Sequence, residues 1–273
     1  MILKNKIFEK FKDAHDGERV FLVANGPSLA KTDLSFLEGE VSIAMNRISL
    51  IYDKYPTWRP TYYLFSSTNV RNEVWGTSWL ESVHKSMSCD ETTSFIAKMF
   101  KPDIDPKGAY ANTFWFDSMS EFKPSQDGLV SDRCFSTDVV ERIDKSGTTM
   151  NLALQLAYHM GFSEVVFVGA DLGWKLDKGS KSDPNHFDNS YRANISNPQK
   201  ANNQMRNIHS LALKRFLERD KEVNFYNASL ETILDVYPII DYEEYIKNNK
   251  IVVLEEKNEL AKMAWDHPPQ FLV

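Results

Sequence analysis

Cysteine is nearly absent. Two residues in 273, Cys89 and Cys134, lie far apart and in no Cys-x-x-Cys pair, so neither a disulfide framework nor a zinc site is supported and both thiols read as packing residues. No apolar run approaches the roughly 18 residues of a transmembrane helix. The chain has no internal repeat and no low-complexity tract, and it lacks the Gly-x-x-x-x-Gly-Lys-Ser/Thr loop of P-loop enzymes. A basic excess is missing too. The formal net charge of -6 argues against broad nucleic-acid binding, while leaving room for a local basic cleft that takes one phosphorylated small molecule. The start of the chain lacks the continuous apolar core of a signal peptide, which predicts a cytoplasmic protein. Lys4, Lys6, Lys10 and Lys12 surround Ile7, Phe8 and Phe11 there. That segment reads either as an amphipathic helix packed on its own domain or as a peripheral contact with the inner face of a membrane.

What is present is an alternation of strand and helix signals. A buried strand at 20–24 empties into Asn25-Gly26-Pro27-Ser28-Leu29, a second at 41–45 runs into Asn46-Arg47, and a third at 61–65 ends in Ser66-Ser67-Thr68-Asn69. If parallel, these strands bring Asn25, Asn46 and the 66–69 stretch to one sheet edge, where open α/β sheets hold their ligands. Gly26 permits close backbone approach and Pro27 fixes the turn, although the same residues are also ordinary turn formers. A helix is predicted over 73–87 and a strand over 94–98. Residues 109–138 show no sustained period and read as a lid or variable insertion.

Ser146-Gly147-Thr148-Thr149 then opens a helix that ends at Gly161, with Leu152, Leu156 and Met160 on a buried face. Its N-terminus is either an anion site or a plain structural cap. The apolar run 165–168 leads through Gly169-Ala170 to Asp171, placed to accept from a hydroxyl, to ligate a metal or to cap the next turn. Asp171 has no second carboxylate two residues away, but Asp177, Asp183 and Asp188 follow. The polar stretch 173–198 carries Lys175, Lys178, His186, Tyr191 and Arg192, suited to a cover over an anionic substrate. His159 and His209 fall inside predicted helices and read as packing or surface residues. A helix over 200–219, a strand over 223–227 and helical pieces around 251–254 complete the chain. Trp265 and Phe271, beside Pro268-Pro269, read as docking residues for another subunit.

Together these signals define an α/β, Rossmann-like, mostly parallel sheet with helices on both faces and a small lid. The expected division is a nucleotide-binding α/β domain over 1–172, a lid or acceptor loop over 173–199, a return to the α/β domain over 200–241 and a helical tail over 242–273.

The order of motifs, Asn25-Gly26-Pro27-Ser28-Leu29, Asn46, Ser146-Gly147 and Val165-Val166-Phe167-Val168-Gly169-Ala170-Asp171, resembles the bacterial lipooligosaccharide sialyltransferases. It also resembles a broader glycosyltransferase-like family that includes the motility-associated flagellin glycosyltransferases. The resemblance covers roughly residues 20–234. It implies a GT-A-like variant of the nucleotide-binding fold, a CMP-activated sugar donor, a glycan or glycoconjugate acceptor and no metal or cofactor. For the residues it implies donor phosphate and ribose contacts from Asn25 and Asn46 and contact with the cytidine nucleotide from Ser146 and Gly147, with Asp171 beside that pocket; Gly26, Ser28, Ser67 and Thr148, at the same strand ends and helix start, are further nucleotide-binding candidates. The family's two phosphate-stabilising tyrosines are replaced here by Gly173-Trp174 and by the region of His186-Phe187-Asp188, and Arg142 stands nearest to its arginine before Ser-Gly. Transfer from a CMP-sugar requires stabilisation of charge building on the leaving phosphate and a base for the acceptor hydroxyl. Tyr191 or Arg192 is the candidate for the first role and His186 for the second. Two other functions stay open: a Mg-dependent pyrophosphokinase of the 6-hydroxymethylpterin type, with Asp171 and Asp183 on the metal, and a non-catalytic nucleotide-binding module. A homo-oligomer is likewise left open.

Overall fold

A computed structural model describes residues 5–67, 78–120, 130–173, 183–192 and 203–266. Seven parallel strands form one sheet in the order β5-β4-β3-β2-β1-β6-β7. They are β1 (Arg19–Val23), β2 (Ser42–Met45), β3 (Tyr62–Phe65), β4 (Thr93–Ala97), β5 (Thr113–Phe116), β6 (Glu164–Val168) and β7 (Asn224–Asn227). The chain builds outward from β1 to β5, then returns to the other side of β1 for β6. The strand order therefore reverses between β1 and β6, at the crevice where open α/β sheets bind ligands.

Both central strands are apolar along their length because both of their faces are covered. Val20, Phe21, Leu22 and Val23 are fully buried, as are Val165, Val166, Phe167 and Val168, and successive side chains point to opposite faces. The α-helices are α1 (Trp79–Met87), α2 (Lys101–Ile104), α3 (Thr149–Met160), α4 (Asn203–Arg219), α5 (Tyr242–Asn248) and α6 (Glu255–Asp266). Helix α3 crosses β1, β2 and β3, with α4 packed beside it. It starts at a Thr148 cap, whose hydroxyl accepts from the Met150 amide, and ends at Gly161 in the left-handed region, φ 90°.

Helix α3 is buried nearly all round, and two of its buried residues are amides. Gln155 accepts from the amides of Ser136 and Asp144, each at 3.0 Å, and donates to Asp144 O at 2.6 Å and Asn151 O at 2.8 Å. Asn151 donates to Cys134 O at 2.7 Å and Asp144 O at 3.0 Å. The chain over 134–146 is thereby clamped to the helix by both amide side chains, although Asn151 Oδ1 itself has no partner among the described residues.

Several expectations are corrected. The 109–138 stretch contributes β5, an edge strand in which Thr113, Phe114 and Trp115 are all half-buried before the buried Phe116, so that no alternation shows its period. The tail is helical over α5 and α6, not around 251–254, where Val253 instead makes an antiparallel bridge with Ile240. Trp265 docks on its own chain, donating to Ile233 O at 2.6 Å under the Arg206 guanidinium. The N-terminal segment forms a 3-10 helix, Lys6–Phe11, with Phe8 against Phe95 and Phe116 and Phe11 against Phe114. Its aromatic side is thus occupied within the molecule. Residues 73–77 of the predicted helix, Thr68, Asn69, Lys175, Asp177, Lys178 and Phe271 lie outside the described residues. No helix among the described residues is long and apolar enough to cross a membrane.

Candidate active site

Past the ends of β1 and β6 the two chains continue to pair. Ala24 donates to Val168 O and Gly26 to Gly169 O, each at 2.8 Å. Ser28 then donates its amide to Asp171 Oδ2 at 2.7 Å and its hydroxyl to Asp171 Oδ1 at 2.5 Å. The approach is so close that a Cβ on Gly26 would stand 2.6 Å from Gly169 O. Gly169 takes φ +69°, which an L side chain rarely adopts. The Asn-Gly-Pro-Ser turn and the Gly-Ala-Asp turn are therefore one object, a cradle stitched at the switch point.

Asn25 sits in this cradle with its roles divided. Its Nδ2 donates to Met45 O at 3.0 Å, while its buried Oδ1 has no partner among the described residues. The same holds for the buried Ser66 Oγ at the end of β3. Asn46, at the end of β2, adopts φ 55° and its Nδ2 reaches Thr149 Oγ1 at 3.3 Å, tying the sheet edge to the start of α3. Asn tolerates the left-handed region better than most residues.

These groups border a cavity of about 370 Å³. One wall is the ends of β1, β2, β3 and β6. A second is residues 145–150, a third includes Asn185, His186 and Tyr191, and a fourth includes Met205 and His209 of α4. Lys145 is the only lysine or arginine among the described lining residues. Asp144 shapes the turn beside it by accepting from both the amide and the hydroxyl of Ser146.

Residues 183–192 form a strap across the cavity. Its centre is a half-buried imidazole on a buried carboxylate: His186 Nδ1 lies 2.7 Å from Asp183 Oδ2. A carboxylate only accepts, so Nδ1 carries the hydrogen and Nε2 is the basic position. The imidazole stacks on Tyr191 with 3.9 Å between centroids and 6° between planes. Burial lowers the His186 pKa below its ordinary value, against the opposing effect of Asp183. Burial also raises the Tyr191 phenol, which therefore keeps its proton. The strap is fastened by Arg47, whose buried guanidinium donates to the carbonyls of Ser190, at 3.0 Å, and Tyr191, at 2.5 Å, and to Ser78 Oγ at 2.9 Å. The Phe187 amide donates to Asn25 O at 3.1 Å, joining strap to cradle.

Of the residues expected in the site, Asn25, Gly26, Asn46, Ser67, Gly147, Thr148, Asp171, His186 and Tyr191 border the cavity together. Ser28, Ser146 and Arg192 are not among its lining residues. Ser28 and Ser146 are turned instead onto the Asp171 and Asp144 carboxylates, and Arg192 is buried. Arg142 likewise pairs with Asp144 at 3.5 Å and donates to Arg133 O. Sequence reading missed Lys145, although it adjoins the Ser-Gly motif, and Arg47, which follows Asn46. It placed His209 in packing, whereas the structure places it on the cavity as well. Asp171 gives its oxygens to Ser28, Asp183 pairs with His186, and Asp188 accepts from Ser190. Among the described residues no group of three His, Cys, Asp or Glu side chains is arranged to hold a metal.

No protein-family model and no curated protein matches the chain. Among solved structures it is similar to the MAf glycosyltransferase from Magnetospirillum magneticum AMB-1, at 15% identity over 93% of this chain and 40% of that one, with a TM-score of 0.49. It thus spans well under half the length of that protein. It is also similar to the sialyltransferase CstII from Campylobacter jejuni in complex with cytidine-5'-monophosphate, at 17% identity over 81% of this chain and 84% of that one, with a TM-score of 0.40. Cst-II with a trisaccharide acceptor and CMP gives the same figures, 17% identity, 81% and 84% coverage and a TM-score of 0.40. At these scores the likeness is one of architecture alone.

Proposed function

We propose that this chain is a glycosyltransferase that moves a sugar from a CMP-activated donor to an acceptor hydroxyl without a metal. The observation that carries this reading is the Asp183–His186 pair, whose imidazole borders the same cavity as the β1–β6 cradle and the start of α3. A carboxylate that fixes the tautomer of an imidazole makes the distal nitrogen the basic one, an arrangement that recurs where a hydroxyl is activated as a nucleophile. Because burial lowers the His186 pKa, the ring is neutral and ready to act at pH 7.

In this mechanism the acceptor hydroxyl attacks the anomeric carbon as the bond from that carbon to the CMP phosphate oxygen breaks. The hydroxyl proton passes to His186 Nε2, and Asp183 stabilises the imidazolium that results. The electron pair of the broken bond leaves with CMP, and the charge that builds there is met by Lys145 and the N-terminal end of α3. Tyr191 supports the imidazole from its face, and Arg47 holds the strap that carries both.

The test is a thermal-shift titration with CMP, UDP, GDP and ATP, each with and without Mg²⁺, followed by donor turnover. A CMP-selective rise of a few degrees that does not need Mg²⁺, about what a ligand at 100 times its Kd gives, is expected, with CMP released from a CMP-sugar. A shift by ATP that requires Mg²⁺ favours the pyrophosphokinase reading instead. Binding of CMP with no turnover of any CMP-sugar favours a non-catalytic module.

A further inference from the structure

The cavity holds a second imidazole for which the proposed transfer has no use. His209, on α4, borders the cavity yet is only 3% exposed. Its Nδ1 lies 3.2 Å from Tyr237 Oη, and the same phenol donates to His209 O at 3.2 Å. Tyr237 has one hydroxyl hydrogen; in the arrangement in which it goes to that carbonyl, the ring nitrogen donates to the phenol, which puts the hydrogen on Nδ1 and a bare lone pair on Nε2. Phe167 packs edge-on against the imidazole and stacks on Tyr237, with centroids 5.7 Å and 4.6 Å away respectively. These aromatic neighbours fix the ring plane and offer Nε2 no hydrogen, and Nε2 meets no partner among the described residues.

A buried acceptor without a donor is costly unless a ligand supplies one. Asn25 Oδ1, on the same cavity, is a fully buried acceptor without a partner among the described residues, its Nδ2 being committed to Met45 O. Neither group suits a phosphate oxygen, which brings no hydrogen. Lys145 supplies the cationic side of the cavity, while Asn25 and His209 supply acceptors. The complement of such a cavity is a molecule that is anionic at one end and carries N–H or O–H groups at the other.

We propose that His209 reads the bound nucleotide, its Nε2 accepting a hydrogen bond from an O–H or N–H group of the nucleoside. This rests on the nucleotide reading of the cavity given above and extends it to specificity. A site built around a ligand hydrogen bond discriminates strongly against an analogue that lacks the donor, because the protein group is left unpaired.

Calorimetric titration of CMP, 2'-deoxy-CMP, 3'-deoxy-CMP and UMP into the wild type and into His209→Phe, each checked for native near-UV dichroism, tests it. The expected result is a loss of about tenfold or more in CMP affinity in the variant. One analogue, the one missing the group that His209 reads, should bind both proteins equally. Equal CMP affinity in the two proteins overturns the proposal, as does a uniform weakening of all four ligands by the same factor. If His209→Phe does not fold, the ¹⁵N resonance of His209 Nε2 in the wild type decides. It should move on CMP addition from that of a bare imidazole nitrogen toward a hydrogen-bonded one, and an unmoved resonance overturns the assignment. A wild type that binds no nucleotide overturns the donor reading itself and this proposal with it, an outcome distinct from CMP bound without help from His209.

Discussion

The cradle at the β1–β6 switch point and the strap over 183–192 face one another across the cavity, and they are held by different means. The cradle continues the sheet: backbone pairs at Ala24 and Gly26 lead into the two Ser28 bonds to Asp171. The strap has no regular hydrogen-bond ladder. It hangs on the Arg47 guanidinium, the Asp183–His186 pair and the ring stack on Tyr191. In the cradle a side chain is chosen because the backbone lies so close; in the strap the backbone lies where it does because of side chains. Damage to the cradle should therefore register as lost stability, and damage to the strap as lost turnover.

The same chemical change can be made on each side. Asp183→Asn leaves a group that cannot hold the His186 tautomer, and turnover is expected to fall about 10²- to 10⁴-fold, with global stability within about 1 kcal/mol of wild type. His186→Ala should match it, and the double variant should be no worse than either single one, because the pair acts as a unit. Steady-state kinetics on a CMP-sugar checks this, and additive losses would break the pairing. On the proposed mechanism His186 must be neutral to act, so with its pKa lowered by burial the acid limb of the rate profile should fall below about pH 6.5.

Gly26→Ala should act oppositely. Its Cβ would be 2.6 Å from the Gly169 carbonyl, and a cost of about 3 kcal/mol in denaturant unfolding is expected. A loss under 1 kcal/mol would mean that the cradle yields more readily than its geometry indicates.

A loss of comparable size is expected on acidification. Burial holds His209 at about 4 in the folded protein, from an ordinary value of 6.5. Below pH 6.5 the unfolded chain takes up a proton that the folded one refuses. His209 therefore contributes stability that is fully present above about pH 6.5 and lost as pH falls toward 4, up to about 3 kcal/mol. Unfolding measured across that window should be flatter in His209→Phe. Asp171→Asn, the cradle's counterpart of the strap substitution, should cost about 2 kcal/mol by weakening two buried bonds to Ser28. Lys145→Ala should do least, weakening CMP about tenfold with no loss of stability.

This contrast also explains what was legible in the sequence. The central strands, the turns that end them, and α3 with its cap and terminal glycine were readable, because each depends on neighbours in the chain. Asn25, Gly26, Asn46, Gly147, Thr148 and Asp171 follow from strand ends and helix starts, and all border the cavity. Ser28 and Ser146 have the right chemistry at the right motif, but a carboxylate elsewhere claims each hydroxyl, a partnership that spacing does not reveal for Ser28, 143 positions from Asp171. Arg47 and His209 were missed for the same reason. Their roles depend on contacts with Tyr191, 144 positions away, and with Tyr237, 28 positions away. The β5 strand escaped because an edge strand with three aromatic residues in a row has neither helical nor alternating period.

The two amides on the inner face of α3 have a consequence for how the cavity meets a ligand. Gln155 and Asn151 use their hydrogen bonds to hold the chain from Cys134 to Asp144, so Lys145 projects from a segment anchored before any anion arrives. The Lys145 wall is preorganised, and association need not order it again. The ordering cost of binding should instead fall on the strap, and amide exchange should slow there on CMP addition while residues 134–146 stay protected throughout.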